Sequence, residues 1–337
     1  MHNLEKLEQI AGKPNPDFEQ LHSVLTKGKK PLYTPLYELY VNSEVMEAVL
    51  GKKIHSRADT IEFYHRAGYD YVPVWPTVSF DIGSLIHTSS DYPIKNYDDL
   101  KKYSWPTKDT IQFDEFESVI PLLPKGMKII GQCPGIFETL QSLMGYQNLC
   151  IALYEEEDLV SEIVENIGRV YTMMYEGMAG YREVGALVIS DDMGYKTQTL
   201  ISPDHLRKLI LPRHKELSDI AHSRGKPCIL HSCGNLEAIM EDIITFVGID
   251  AKHSFEDQIM PVTRMYERYG DRIAILGGID VDRLCRSTEE EITEYTGLLI
   301  DTCGPGGNYA IGSGNSITGY VPLENYFAML KTAFSYR

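Results

Sequence analysis

His231 and Cys233 are the residues of this chain whose types and spacing best suit metal chemistry. They follow a short apolar run, residues 228–230, and come directly before Gly234. In an extended segment, residues two positions apart point to the same side, so the imidazole and the thiol project together. Zinc binds neutral histidine nitrogen and cysteine thiolate, and the pair therefore predicts a zinc site. Because the HxC spacing is common, packing of a buried histidine beside a small cysteine is the alternative interpretation.

This pair needs a third ligand, because a catalytic zinc usually has three protein ligands and one open position. Four residues near the ends of predicted strands are candidates: Asp192, His253, Glu256 and Asn315. We predict Glu256, since it lies in the turn after the next strand, and neighbouring strands can bring such a turn close to the pair. Cys303 falls late in a predicted helix and is not expected to bind the metal.

Three aspartates that follow predicted strands are candidates for catalysis. Asp191 and Asp192 are adjacent in ISDDMG (189–194), where like charges raise one pKa and favour general acid–base catalysis or the anchoring of a substrate. Capping of a helix or a turn is the alternative role for this pair. Asp280 ends GGID (277–280), whose glycines indicate a tight turn or the close approach of a ligand to the backbone. We predict all three aspartates to be catalytic.

The segment GPGGNYAIGSGNSI (304–317) is rich in glycine around a predicted strand. It is not a phosphate-binding loop of the Walker type, since no Gly-Lys-Ser/Thr follows, and it is not GxGxxG at the start of a helix. Glycines in the last strand of a barrel can leave room for a bulky flat ligand. We therefore predict that four residues here bind a cofactor: Gly306, Gly312, Gly314 and Asn315.

Eight short apolar runs alternate with longer amphipathic segments. Near-continuous apolar runs are typical of parallel strands buried on both faces. The predicted strands are 31–38, 69–75, 127–133, 185–191, 226–232, 249–255, 272–278 and 308–313, and predicted helices between them include 58–68, 156–184, 202–225, 235–248 and 287–304. This alternation predicts an α/β fold of the (β/α)8 TIM-barrel type, with a doubly wound open sheet as the alternative.

We predict that residues 1–30 form an N-terminal helical extension and that residues 31–337 form a single barrel domain. The C-terminal ends of barrel strands carry the chemistry, and the candidate residues lie at or just after predicted strands. In the helix 202–225, Ser202 is the predicted N-cap and Pro203 the first helical residue. Pro212 is predicted to kink or break this helix.

Composition excludes several classes of function. The formal net charge is −16, which argues against a nucleic-acid groove or an anionic membrane surface as partner. No apolar run approaches the roughly 18 residues that a membrane span needs, and the polar N-terminus has no apolar core of a signal peptide. Six cysteines are scattered along the chain, which predicts a reducing cytoplasm and no disulfide framework.

Four segments resemble the uroporphyrinogen decarboxylase superfamily: residues 190–217, HSCGNLEAIMEDIITFVGIDA (231–251), ILGGID (275–280) and 306–329. The resemblance extends from about residue 30 to the end, and it implies a (β/α)8 barrel. The porphyrinogen decarboxylases carry arginines near the first strand that hold substrate carboxylates. The corresponding PLYTPLYELY (31–40) has none, so a decarboxylase is the alternative interpretation.

The HxCG element is similar to that of the zinc methyltransferases, which move methyl groups to or from a corrinoid on a partner protein. This resemblance implies that His231 and Cys233 bind Zn²⁺ and that a corrinoid-binding protein is the partner. In the branch that methylates coenzyme M, a later cysteine completes the site, but it falls at or near Asn315 here. We therefore favour demethylation of a methoxylated aromatic over methylation of a thiol.

The same resemblance predicts where the substrate and the corrinoid bind. The corrinoid would enter from the rim, where the glycines of 304–314 leave room. Four aromatic residues are predicted to form an apolar substrate pocket: Tyr37, Trp75, Phe80 and Tyr195. A corrinoid- or tetrapyrrole-binding protein without catalytic activity is the third hypothesis.

Overall fold

The computed structural model of the protein describes residues 3–80 and 92–337. In these residues seven parallel strands form one curved sheet whose spatial order is the order along the chain. The strands are β1 Tyr71–Val74, β2 Lys128–Cys133, β3 Val184–Ser190, β4 Cys228–His231, β5 Ala251–His253, β6 Ala274–Leu276 and β7 Tyr309–Ala310. Helices lie between them, and the fold is the predicted TIM-like barrel. Each strand overlaps one of the predicted strands.

The first predicted strand along the chain, 31–38, does not form a regular strand. Leu36 makes one isolated parallel bridge to Ile311, beside β7. The Tyr37 N–H donates to the Ile311 carbonyl at 2.9 Å, and the Ile311 N–H donates to the Pro35 carbonyl at 2.9 Å. Prolines at 31 and 35 have no N–H for a ladder, so the segment occupies the place of a first strand without forming a regular one.

Tyrosine hydroxyls connect this segment to β1 on its other side. The Tyr71 hydroxyl accepts the Glu38 N–H at 2.7 Å and donates to the Glu38 carbonyl, and the Tyr64 hydroxyl accepts the Val41 N–H at 2.9 Å. Residues 35–41 therefore lie between β7 and β1. Two isolated bridges and side-chain hydrogen bonds close the barrel here, in place of a continuous ladder of backbone hydrogen bonds.

The Glu38 side chain is fully buried at this closure. One carboxyl oxygen accepts the Ser313 N–H at 2.7 Å, and the other contacts the Ser313 hydroxyl. Burial raises the pKa of this carboxyl to about 8, although both hydrogen bonds oppose the shift. The raised pKa favours the protonated carboxyl at neutral pH.

The helices surround the sheet and two of them lie within residues 1–30. The α-helices are Asn3–Ala11, Phe18–Leu25, Ser43–Leu50, Arg57–Arg66, Tyr97–Lys102, Asp114–Val119, Ile136–Met144, Tyr146–Glu155, Glu157–Gly180, Pro203–His205, Leu211–Ser223, Met240–Asp242, Val262–Tyr269, Val281–Arg286, Glu289–Cys303 and Leu323–Ser335. Helical structure is present in all five predicted helical segments. The division of the chain at residue 30 stays a prediction. No helix of the described residues combines the length and apolar character needed to cross a membrane.

Pro212 changes the helix that follows β3, as predicted. Ser202 caps its N-terminus by accepting the His205 N–H at 3.2 Å, and Pro203 is the first helical residue. The helix then widens into a π-turn at Leu206–Ile210 before it continues as Leu211–Ser223. Because proline has no N–H and its ring clashes with the carbonyl four residues earlier, the wider turn accommodates Pro212 while the helix continues.

We expect Glu38 to make the folded protein less stable as the pH rises from 4.5 to 8. In this interval the folded state keeps a proton that the unfolded chain has lost, so the free energy of unfolding falls with increasing pH. Glu38→Gln is neutral at every pH and should flatten this dependence. Urea unfolding across the interval tests the prediction. Glu267→Gln, at an exposed position, should keep the wild-type dependence; an unchanged slope in Glu38→Gln would contradict it.

Candidate metal site

Asp192, His231 and Cys233 form the one group in the described residues that is able to hold a metal ion. Their possible ligand atoms all lie within 4.8 Å of one another. The register of the sheet explains this proximity, because Ser190 pairs with His231 across β3 and β4. Asp192 and Cys233 each follow that pair by two residues, so the two turns leave the sheet side by side.

His231 presents its Nε2 atom to the other two ligands. This nitrogen lies 3.7 Å from the Cys233 sulfur and 3.9 Å from Asp192 Oδ1. On the far side, His231 Nδ1 lies 2.8 Å from His253 Nδ1, and His253 Nε2 lies 3.3 Å from the Ser313 carbonyl oxygen.

The carbonyl of Ser313 fixes the protonation of both rings. A carbonyl only accepts, so His253 carries its hydrogen on Nε2 and accepts on Nδ1, and His231 donates from Nδ1. The lone pair of His231 Nε2 is then free for a metal, which is the orientation that such hydrogen bonds usually impose on histidine ligands. Burial lowers the pKa of His231 to about 4 and that of His253 well below its usual value, so both rings are neutral at neutral pH.

The Cys233 sulfur accepts hydrogen bonds from two further elements. Ser254 Oγ lies 3.3 Å from it and Asn315 Nδ2 lies 3.2 Å from it, and the Cys233 N–H donates to Asp192 Oδ1 at 2.8 Å. Burial, together with the charge of Asp192, raises the pKa of the thiol to about 12. A bound divalent cation would reverse this and hold the thiolate. The soft sulfur, the neutral imidazole and the carboxylate fit zinc.

Lys252 places a buried ammonium behind the site, and the sequence analysis missed it. Its Nζ donates to the carbonyls of Ser232 at 3.1 Å, His253 at 2.9 Å and Ser254 at 2.8 Å, so all three hydrogens are used. Burial lowers the pKa of Lys252 to about 8. The lysine ties the ends of β4 and β5 together. A lysine at the centre of the predicted strand 249–255 was the available signal.

Asp191 lies on the opposite side of the strand from Asp192, because neighbours in an extended segment alternate. Its fully buried carboxylate accepts the N–H groups of Phe137 at 2.9 Å and Glu138 at 3.1 Å, at the start of the helix Ile136–Met144. His214 Nε2 lies 2.7 Å from the same carboxylate. The capping alternative describes this geometry. A catalytic role for Asp191 stays a prediction that no contact with the metal group supports.

Asp280 and Glu256 also lie outside the metal group. Asp280 accepts the N–H of Asp282 at 2.8 Å, at the start of Val281–Arg286, and the N–H of Asp257 at 2.7 Å. Glu256 lines a cavity of about 30 Å³ whose wall includes Lys252. The structure therefore brings Asp192 to the place for which Glu256 was predicted, because the turn after β5 points into this cavity. The roles of Asp280 and Glu256 stay predictions.

The glycines at 306, 312 and 314 do not leave the open space that was predicted beside them. A Cβ atom at each position would collide with protein atoms: the Tyr266 hydroxyl, the Tyr37 carbonyl and the Phe255 carbonyl, respectively. These glycines allow close packing of the backbone at the barrel closure and under the loop after β5. Asn315 alone among the four predicted residues faces the metal group. Cofactor binding by the four stays a prediction.

The four predicted aromatic residues are spread along the rim. Tyr37 is buried in the barrel, with its ring 4.9 Å from the His253 ring. Trp75 packs against Tyr40, and Phe80 lies 6.0 Å from the Tyr171 ring. Tyr195 is 60% exposed in the turn after β3. Tyr37 is therefore the one of the four that packs against a residue of the hydrogen-bonded histidine pair, and a shared substrate pocket stays a prediction.

Glu138 is a second residue that the sequence analysis missed. It lies in the first turn of the helix Ile136–Met144, close to the two aspartates. The side chain reaches solvent, yet desolvation of its carboxyl and the charges of Asp191 and Asp192 raise its pKa to about 8. Nothing in the local sequence PGIFET distinguishes this glutamate from a solvated one; its proximity to two carboxylates arises only in the fold.

Substitution of each candidate should show whether Asp192 or Glu256 is the third metal ligand. We expect Asp192→Asn to lower the zinc affinity about 100-fold, because the variant loses one charged ligand of three. Glu256→Gln should leave the affinity unchanged. Competition with a chromophoric zinc chelator measures both. A lower zinc affinity in Glu256→Gln, with an unchanged affinity in Asp192→Asn, would identify Glu256 as the third ligand instead.

Removal of the hydrogen bond behind His231 should also weaken the site. We expect His253→Phe to lower the zinc affinity between 10- and 100-fold, the range roughly typical of residues that orient a ligand. Tyr37→Phe is the matched control, since Tyr37 packs against the same imidazole and its buried hydroxyl has no hydrogen-bond partner. Isothermal titration with zinc measures both affinities. Equal affinities in the two variants would contradict the role of His253 in orienting His231.

The chain is similar to solved structures and matches one family model. Among solved structures, the chain is similar to a methyltransferase from Methanosarcina mazei, with 16% identity over 93% of this chain and 97% of that chain and a TM-score of 0.72. It is also similar to a putative vitamin-B12-independent methionine synthase from Listeria monocytogenes, with 9% identity over 90% and 97% and a TM-score of 0.50. At these identities the likeness shows the fold alone. No curated protein matches the chain. Residues 78–336 match the model of the uroporphyrinogen decarboxylase (URO-D) family, and the chain belongs to that family.

Proposed function

We propose that this protein is a zinc-dependent methyltransferase that moves a methyl group between a small methylated substrate and a corrinoid on a partner protein. The observation that carries the proposal is the group of Asp192, His231 and Cys233 at the C-terminal ends of adjacent barrel strands. The likeness in fold to a methyltransferase supports it. Three protein ligands are the number that leaves a catalytic zinc one open position.

A methoxylated aromatic is the favoured substrate. In that reaction the methyl–oxygen bond breaks, the methyl group passes to the corrinoid, and the phenolate keeps the bonding electron pair. Zinc, when bound, would supply Lewis acidity at the ether oxygen. Asn315 supports an ether over a thiol, because the amide faces the Cys233 sulfur where a second cysteine would complete a thiol-activating site.

The side chains around the metal group suit this reaction. His231 is held neutral, with its free nitrogen directed at Cys233 and Asp192. Glu138, whose pKa is raised to about 8 by desolvation and by the charges of Asp191 and Asp192, would give a proton to the departing oxygen. The partly buried rings of Trp75 and Phe80 offer apolar surface to an aromatic substrate.

A transfer assay tests the proposal. The zinc-loaded protein is mixed with cob(I)alamin and methoxylated aromatics, and methylcobalamin formation is followed by its absorption spectrum. We expect His231→Ala and Asp192→Asn to lose at least about 100-fold in rate, because the Lewis acid is worth several kcal/mol. Gly180→Ala, at an exposed helix end where the added methyl group contacts nothing, should keep the wild-type rate.

Two outcomes would contradict this function. Methylation of coenzyme M with aryl methyl ethers left untouched would place the protein in the thiol branch. Decarboxylation of uroporphyrinogen III would assign it the reaction for which the family is named. The second outcome is disfavoured by residues 31–40, which contain no arginine to hold substrate carboxylates.

A further inference from the structure

Ser254, directly after β5, has a backbone conformation that side chains other than glycine seldom adopt. Its φ is +82°, and among the described residues Lys27 is the only other non-glycine residue with a positive φ. A glycine would adopt this conformation without steric cost. A strained residue of this kind persists only where the surrounding structure holds it, and it commonly marks a functional position.

Hydrogen bonds on both sides hold the Ser254 backbone in place. The Lys252 ammonium donates to the carbonyls of His253 and Ser254 at 2.9 and 2.8 Å. The next residue, Phe255, donates its N–H to the Gly314 carbonyl at 2.8 Å. These bonds involve backbone atoms of the turn and would be available to a glycine at 254 as well. The serine side chain must therefore explain why a strained residue is present.

The Ser254 side chain is directed at the Cys233 sulfur. Its Oγ donates at 3.3 Å, and Asn315 Nδ2 donates to the same sulfur at 3.2 Å from the loop after β7. The Asn315 amide is oriented for this contact, because its oxygen accepts the Ser316 hydroxyl at 3.2 Å. Two loops that are distant along the chain thus place one donor each on a single sulfur.

We propose that Ser254 and Asn315 are positioning residues that keep the Cys233 sulfur on the metal and protect it from alkylation. The inference rests on the proposed function, since a methyltransferase brings an electrophilic methyl group close to a thiolate. In the unwanted reaction a sulfur lone pair attacks the methyl carbon, the new S–C bond forms, and the leaving group departs with its electron pair. Hydrogen bonds to the sulfur lone pairs draw off electron density and slow that attack.

An alkylation assay on the zinc-loaded protein tests the proposal without substrate or corrinoid. The protein is treated with methyl iodide, and peptide mass spectrometry follows S-methylation of Cys233. The partly buried Cys150 and Cys285 serve as internal references. We expect Ser254→Ala and Ser254→Gly each to methylate at Cys233 about tenfold faster than the wild type, the effect of one hydrogen bond to a charged group. The reference cysteines should react at unchanged rates.

Two glycine variants distinguish the loss of the hydrogen bond to the Cys233 sulfur from the relief of backbone strain. Ser254→Gly relieves the positive φ and loses the donor, so it should unfold at a higher urea concentration yet methylate faster. Lys27→Gly relieves the other positive φ, loses an exposed hydrogen bond from Lys27 Nζ to the Arg272 carbonyl and leaves the sulfur untouched, so Cys233 should methylate at the wild-type rate. Cobalt(II) substitution adds a spectroscopic test: the sulfur-to-cobalt charge-transfer band should move to longer wavelength in both Ser254 variants and stay in place in Lys27→Gly.

Methylation of Cys233 at the wild-type rate in both Ser254 variants would overturn the proposal, and so would a charge-transfer band that does not move. Failure of the proposed function would have a different signature. Suppose that the protein transfers no methyl group from any ether while its Ser254 variants still methylate faster at Cys233. That result would contradict the proposed reaction and leave the role of Ser254 and Asn315 as hydrogen-bond donors to the sulfur intact.

Discussion

The parallel pairing of β3 with β4 is the constraint on which the candidate site depends. Ser190 lies opposite His231, and the two polar turns leave the sheet together. A slip of one residue would turn every side chain of β3 to the other face. Asp192 would then leave the metal group, and Asp191 would leave both the first N–H groups of the helix Ile136–Met144 and His214. Two adjacent carboxylates with opposite directions therefore stabilise a single register.

The site is also coupled to the closure of the barrel. The Ser313 carbonyl accepts from His253, while the Ser313 N–H and hydroxyl contact the buried Glu38 of the segment that replaces a first strand. Each of these buried groups would be costly without its partner. The tautomer of His231 is therefore set, through His253, by the same residue that contacts Glu38 at the closure of the barrel.

The donor set of the candidate site differs from the one expected for thiol-methylating relatives. The Asp192 carboxylate lies beside His231 and Cys233, and Asn315 donates an N–H to the sulfur where a second cysteine is expected in those relatives. A set with one thiolate, one imidazole and one carboxylate would present less sulfur to a bound borderline metal than a set with two thiolates. Lys252, close to the same sulfur, places a buried amino group, whose pKa burial lowers to about 8, in the surroundings of the site.

The sequence by itself determined the fold class, seven of the strands and the pairing of His231 with Cys233, because burial pattern and two-residue periodicity are local properties of a segment. It predicted a regular strand at 31–38, where prolines remove the donors of a ladder and the segment makes only an isolated bridge. Tertiary structure alone decided that Asp192 lies beside His231 and Cys233 while Asp191 caps a helix, that Glu256 lines a separate cavity, and that the glycines at 306, 312 and 314 allow close packing. These outcomes depend on which loops meet at the rim, as Cys233 meets Ser254 and Asn315. Strand register and ring closure set those meetings, and neither is a property of any one segment.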